Sequence, residues 1–225
     1  PELSTVRAAL ERGDQDGASV AFAHYLRTRP RPTWSVDPMA VGRQPGADVS
    51  RARAVLRHRL ESIGIPWQFG ETVDWGFNPT TQPDSRWPVN HEWTWQLNRH
   101  AAWLELAKAY YATGDEVYAA KLAEFVRDWI RSCPPPADRA DNRSGSKWRT
   151  IEAGIRTGSV WPEVWPRVLA SKSFDDDTLL LWLASWVDHA RYLMRFKTSG
   201  NWLTMEANGL YHIGALFPEF REAAA

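Results

Sequence analysis

Cysteine is nearly absent: one in 225 residues. Cys133 has no second thiol to pair with, so an internal disulfide is excluded, as is a metal site built on several thiolates. A buried or incidental thiol is expected. An excess of one charge is missing too. Twenty-seven basic and twenty-seven acidic residues cancel. Bulk electrostatics therefore give no reason to expect nucleic acid or an anionic membrane surface as partner. Long hydrophobic runs are lacking as well. "LLLWLASWV" falls far short of the ~20 apolar residues that cross a bilayer. There is no HExxH, CxxC, P-loop, GxGxxG or GxSxG. No metal and no cofactor is expected. The acidic run Asp175–Asp177 sits at a helix start, where it serves the dipole.

Tryptophan is what the chain has in excess, at 14 residues. Most of these rings can fill a core. Some can instead form faces on which sugar rings stack, since indole is apolar on its faces and carries one N–H donor.

Helical periodicity runs through most of the chain. It predicts helices over 4–12, 16–28, 50–62, 91–112, 115–132, 148–158, 176–196 and 202–217. "RPRPTW" ends the second. Asp115 is the expected N-cap of a helix that forms a tight αα-hairpin with its predecessor. "CPPPADRADNRSGS" reads as an exposed loop. No period-2 stretch suggests a strand. The long "GIPWQFGETVDWGFNPTTQPDSRWP" lacks periodicity, and a loop of that length is usually functional or wrapped on a neighbour. The fold class is all-α, with successive antiparallel hairpins wound about a common axis.

Three polar stripes interrupt the apolar pattern. Glu92, Gln96 and Arg99 recur at helical spacing in "HEWTWQLNRHAAW", with His91, Trp95 and Asn98 beside them. They form either an internal ion-pair network or a binding face. Arg149, Glu152 and Arg156 stand in "KWRTIEAGIR". They read as a solvated ladder, or as guanidinium groups aimed at an oxyanion, which the planar fork of arginine matches. In "KTSGNWLTMEANGLYHIGALFPEF", Asn201, Asn208 and His212 project to one side. Asn201 follows a glycine and fits an N-cap; His212 fits a satisfied core histidine. A glycoside hydrolase would need two carboxylates across the scissile bond. Glu92, Glu152 and Glu206 are available, and no spacing singles out a pair. A non-catalytic carbohydrate-binding scaffold is another reading of these stripes.

Four blocks carry a resemblance. "VDWGFNP", "EWTWQLNRHAAWLELAKAYYATGDEVYA", "WRTIEAGIR" and "GNWLTMEANGLYHIGALFPEF" resemble, in that order, the N-terminal helical part of heparinase II/III-like polysaccharide lyases. "PELSTVRAALERGD…YLRTRPRPTW" resembles the start of that family. The resemblance implies that residues 1–225 are the N-terminal part of an incomplete (α/α) toroid. The rest of the toroid and a β-sandwich are expected later in the same polypeptide. The implied reaction is β-elimination at a uronic acid of an acidic polysaccharide, heparan-sulfate-like or alginate-like. The implied carboxylate neutraliser is Asn201, at the start of the last helix. Where some relatives carry a histidine beside it, this chain has Trp202, which can stack on a sugar. Gln96, Asn98, Arg99, Arg149 and Arg156 are expected to line one concavity as substrate-binding residues. The tyrosine acid and histidine base are expected later in the polypeptide, so these residues alone should be inactive. The expected location is secreted or periplasmic. Apolar surface that the rest of the chain would cover, with some self-association, is expected too.

Overall fold

The computed structural model describes residues 3–30, 39, 43, 44, 46–143 and 145–224. Of "RPRPTW", Arg29 caps the end of α2 and Pro30 is described, while residues 31–34 lie outside the described residues. Helices α1 (Ser4–Glu11) and α2 (Gln15–Thr28) form the first hairpin. Asp14 caps α2 by accepting from the Gly17 N–H at 2.8 Å. Both helices fall where the periodicity places them.

The third expected helix is cut short. Helix α3 (Ser50–Leu56) ends before His58, which takes a left-handed φ of 56°. Strand β1 (Arg59–Ser62) then pairs antiparallel with β2 (Ile65–Gln68) across Ile63–Gly64. The expectation of no strand is thereby corrected. Val55, Leu56, Leu60 and Ile63 sit at spacings a helix would also satisfy. The deciding feature is the two-residue turn, with φ of 48° at Ile63 and 76° at Gly64. Such a turn matches the twist of a hairpin. The alternation is four residues long, with Leu60 and Ser62 buried and Arg59 and Glu61 exposed.

The long irregular segment after the hairpin is ordered by Asn78. Its side chain accepts from the Thr80 N–H (2.9 Å), capping a 3₁₀ turn at Pro79–Thr81, and donates to the Asn90 carbonyl (3.0 Å). Thr80 Oγ1 accepts the Asn90 N–H at 2.8 Å. Both ends of the loop are thus joined.

The helix expected over 91–112 is two: α4 (Glu92–Leu97) and α5 (Ala101–Thr113). His100 breaks it with φ of 66°. A non-glycine residue there is strained and persists only where its surroundings over-determine it. The His100 ring stacks 3.8 Å from Trp103 and accepts the indole N–H of Trp161 at 3.0 Å. Trp161 comes from elsewhere in the fold, so the local pattern hides the break. Helix α6 (Glu116–Ser132) returns along α5, capped by Asp115 as expected.

Helix α7 (Thr150–Ile155) runs through one π turn at Arg156–Val160 into α8 (Trp161–Val168). Helix α9 (Asp176–Arg195) is capped by Asp175, with Asp176 and Asp177 in its first turn. Helix α10 (Gly200–Leu216) crosses α7 and the π turn closely. Glycines permit this. A Cβ on Gly154 would collide with the Met205 carbonyl, and one on Gly209 would meet Thr157 Oγ1.

Successive pairs, α5 on α6, α6 on α9 and α9 on α10, make an all-α arc of toroidal type around one core. Trp93, Trp103, Trp129, Trp161, Trp182 and Trp186 are fully buried there. The first hairpin closes onto the last helices through Arg29–Glu219 (2.7 Å) and Arg27–Asp176 (3.0 Å). Exposed apolar side chains include Met194 on α9 and Leu203 and Tyr211 on α10.

Candidate functional site

Three segments meet beside the start of α10. The first is the polar face of α4. The second is Arg149 with Glu152, just before and within α7. The third is the first turn of α10 itself. Glu152 is completely buried, with Arg99 at 2.9 Å and Arg149 at 3.3 Å. Burial pushes its carboxyl pKa up, and the two guanidinium groups oppose that. Glu92 completes the cluster, 3.6 Å from Arg99 and 3.9 Å from Arg149. It accepts the Gln96 amide at 3.0 Å.

Arg149 is 5 % exposed and stands between two indoles. Its guanidinium carbon is 3.6 Å from the Trp95 ring centroid and 4.6 Å from that of Trp202. Burial pulls its pKa down, while Glu152 and Glu92 hold the charged form. Its Nη1 makes no hydrogen bond among the described residues. A planar, weakly hydrated cation is the one basic side chain suited to such a slot.

Asn201 is the second residue of α10 and is exposed. The N-cap position belongs to Ser199, which makes no side-chain cap bond. The capping alternative for Asn201 is therefore removed. Its amide makes no side-chain hydrogen bond among the described residues. The loop before it is pinned from below: buried Glu206 accepts the Thr198 N–H (3.0 Å) and hydroxyl (2.7 Å). Lys197 is exposed four residues earlier. The site thus offers an uncapped helix N-terminus, an exposed amide and a cation four residues earlier in the chain, all suited to an anion.

The structure gathers Gln96, Arg99, Arg149, Trp202 and Asn201 from the expected set. It does not gather Asn98 or Arg156. Asn98 is fully enclosed, donating to the Trp75 and Thr94 carbonyls (both 2.8 Å) and accepting from Trp129 Nε1 (2.8 Å). Arg156 is equally enclosed, donating to His189 Nε2 (2.7 Å) and to the Lys147 (2.8 Å) and Asn98 (3.1 Å) carbonyls. Trp129 and Trp148 flank it. Both residues knit the core instead of facing a groove. The expectation assumed unbroken helices. Arg149 lies outside α7 in extended backbone, and Arg156 opens a π turn, so helical spacing does not relate them.

Asn208 and His212 are satisfied internally. Asn208 donates to the Gly158 carbonyl at 3.0 Å, and His212 Nδ1 meets the Asn208 carbonyl at 2.9 Å. The carboxylates offer no hydrolase pair. Glu152 is locked between arginines and Glu206 is spent on Thr198, which leaves Glu92 alone partly exposed. The roles of Trp95 and of the Thr198–Glu206 staple are new from the structure. Trp95 and Arg149 are 54 positions apart, and nothing local signals their stack.

The chain as a whole is similar to known proteins. The family model described as Heparinase II/III N-terminus matches residues 1–225. A heparin-sulfate lyase of Bacteroides stercoris is 29 % identical over 246 residues, covering 100 % of this chain and 35 % of that protein. A heparin-sulfate lyase of Pedobacter heparinus is 29 % identical, covering 98 % and 33 %. The crystal structure of heparan sulfate lyase HepC from Pedobacter heparinus superposes with a TM-score of 0.80 at 28 % identity, over 97 % of this chain and 34 % of that one. A crystal structure of heparinase III gives 0.82 at 26 %, over 100 % and 34 %. The chain spans about a third of the length of the relatives it matches.

Proposed function

Because this chain belongs to the Heparinase II/III N-terminus family, we propose that it forms the N-terminal helical part of a polysaccharide lyase, with Asn201 neutralising a uronate carboxylate during β-elimination. The observation that carries this is the exposed, unpartnered amide of Asn201 on a rigidly held first turn. The similar proteins act, by their names, on heparin or heparan sulfate, so a glycosaminoglycan of that kind is the proposed substrate.

The chemistry follows from where charge develops. Removing the proton at C5 of a uronic acid pushes negative charge into its carboxylate. A donor placed there holds the transition state more tightly than the ground state. An amide donates without adding a charge that would bind substrate and transition state alike. The N–H groups in the first turn of α10 and Lys197 supplement it. In this reading the base for C5 and the acid for the leaving oxygen come from later in the polypeptide, as do the rest of the toroid and a β-sandwich. The protein then works where such glycans occur, secreted or in the periplasm.

The test uses the full-length enzyme and the absorbance of the unsaturated uronate product. Asn201→Ala should lower kcat by roughly 10²–10³, the usual loss of one such donor, with KM little changed. Asn201→Asp should be at least as damaging, since it sets a second negative charge against the uronate. Near wild-type kcat in Asn201→Ala would overturn the assignment.

A further inference from the structure

A second aromatic cleft lies on the hairpin side of α4. It has a volume of about 400 Å³ between β2, the 3₁₀ turn at Pro79–Thr81 and the segment leading to Trp87. Trp67 and Trp87 line it, both half-buried. Phe77 backs the Trp67 ring at 4.9 Å, which fixes the indole. The exposed Arg86 holds its guanidinium 4.5 Å from the Trp87 ring centroid. Gln68, Gln82 and Asp84 supply polar groups in the same wall. The amide nitrogens of Gln68 and Gln82 are tied to backbone carbonyls, which fixes both side chains with the carbonyl oxygen as the remaining acceptor.

We propose that this cleft is a remote subsite for an acidic saccharide unit of the same polymer that Asn201 engages. The proposal rests on the lyase reading. The indole of Trp67, backed by Phe77, and that of Trp87 give apolar faces for pyranose rings, and the amides and Asp84 accept sugar hydroxyls. Arg86, already paired with an aromatic face, meets a carboxylate or sulfate at the rim. The cleft is coupled rigidly to the reacting end. Asn78 bonds to Asn90, whose side chain accepts the Glu92 N–H at 3.0 Å at the start of α4. Trp87 and Glu92 are five residues apart, a reach of at most about 18 Å. In this proposal a polymer bound at Asn201 runs past α4 into the cleft, and a disaccharide at Asn201 leaves the cleft empty.

Length dependence tests this. In full-length protein carrying Asn201→Ala to slow turnover, heparan sulfate octasaccharide and disaccharide are titrated by calorimetry and tryptophan fluorescence. Trp67→Ala, Trp87→Ala and Arg86→Ala should each weaken octasaccharide binding roughly three- to tenfold and leave disaccharide binding unchanged. Arg86 is exposed, so its variant reports even if a tryptophan variant fails to fold. Unchanged octasaccharide affinity, equal losses at both lengths, or no binding of either oligosaccharide would overturn the subsite. If binding shows the length dependence but the enzyme with Asn201 intact releases no unsaturated uronate, the subsite stands and the β-elimination reading falls.

Discussion

Arg149 couples the buried charges to the exposed amide. Its guanidinium touches Trp202, the residue next to Asn201, and pairs with Glu152, which has no solvent of its own. The sequence-based expectation gave Trp202 to a sugar. The structure uses one of its faces to close over Arg149, so Trp202 fixes where the first turn of α10 sits. Two substitutions separate charge from shape. Arg149→Ala leaves Glu152 buried against Arg99 alone, and losing one of its two charged partners costs about 1.5–3 kcal/mol. Arg149→Lys keeps the charge but loses the flat stack, so a smaller loss of about 1 kcal/mol is expected. Urea unfolding of the full-length protein measures both. The lysine variant should also lower kcat more than it raises KM, because the amide is displaced while the saccharide contacts remain. Equal stability of the lysine variant and wild type would show that the stack contributes nothing. Legibility at this scale divides cleanly. Glu92, Gln96 and Arg99 were legible because their relation is local to one helix. Arg149 and Asn201 were legible as residues, but not the stack that joins them, which depends on contacts across the fold. Asn98 and Arg156 were misplaced because the groups that hold them inside, Trp75 and Trp129 for the first and His189 and the Lys147 carbonyl for the second, come from distant parts of the chain.

Elements were legible where local signals agreed and illegible where a distant contact overrode them. Helices α6, α9 and α10 lie within two residues of expectation at each end, each with its apolar stripe intact. The β1–β2 hairpin and the break between α4 and α5 were invisible, since both turn on left-handed residues whose sequence resembles a continuing helix. The crossing of α10 over α7 falls between these cases. Gly154, Gly158 and Gly209 stand in the sequence, but their purpose appears only when Met205, Asn208 and Thr157 are found against them in turn. Gly154→Ala should force α10 outward, because the obstacle is backbone that cannot rotate away. A loss of about 1–3 kcal/mol is expected from overpacking, together with a fall in kcat as Asn201 moves with its helix. Gly70→Ala is the control: nothing lies within 4 Å of a Cβ there and its φ is not left-handed, so a change within about 0.5 kcal/mol is expected. Thermal or urea unfolding of both variants checks the pair, and a neutral Gly154→Ala would show that the helices can separate without loss.

At the scale of the whole molecule, the all-α arc was the most legible feature, because repeated hairpins need only periodicity and short turns. Its core chemistry was not. The centre of the arc holds two buried histidines among tryptophans. His189 donates from Nδ1 to the Ser185 carbonyl and accepts from Arg156 at Nε2. His100 accepts from Trp161 at Nδ1, and its buried Nε2 has no partner among the described residues. Burial lowers both pKa values well below the ordinary range. Arg156 adds to this in each case, and His189 adds further to His100. A proton on His189 Nε2 would face a guanidinium, and one on His100 Nδ1 would break the indole bond. The folded protein therefore keeps both rings neutral, while the unfolded chain takes up protons below about pH 6.5. Stability is thus fully present above about pH 6.5 and is lost as pH falls below it, with a slope of up to ~2.7 kcal/mol per pH unit for two such sites. Glu152 acts in the opposite sense. Its raised carboxyl, like that of Asp188, which burial also raises, favours the folded state as pH falls, but both act nearer the carboxylate range. The histidines therefore decide the sign between about pH 6.5 and pH 5. Urea unfolding of the full-length protein across pH 5–7.5 should show stability falling with acidity, and His189→Gln should roughly halve the slope. A flat profile in wild type would mean that the core admits protons, contrary to the packing around both rings.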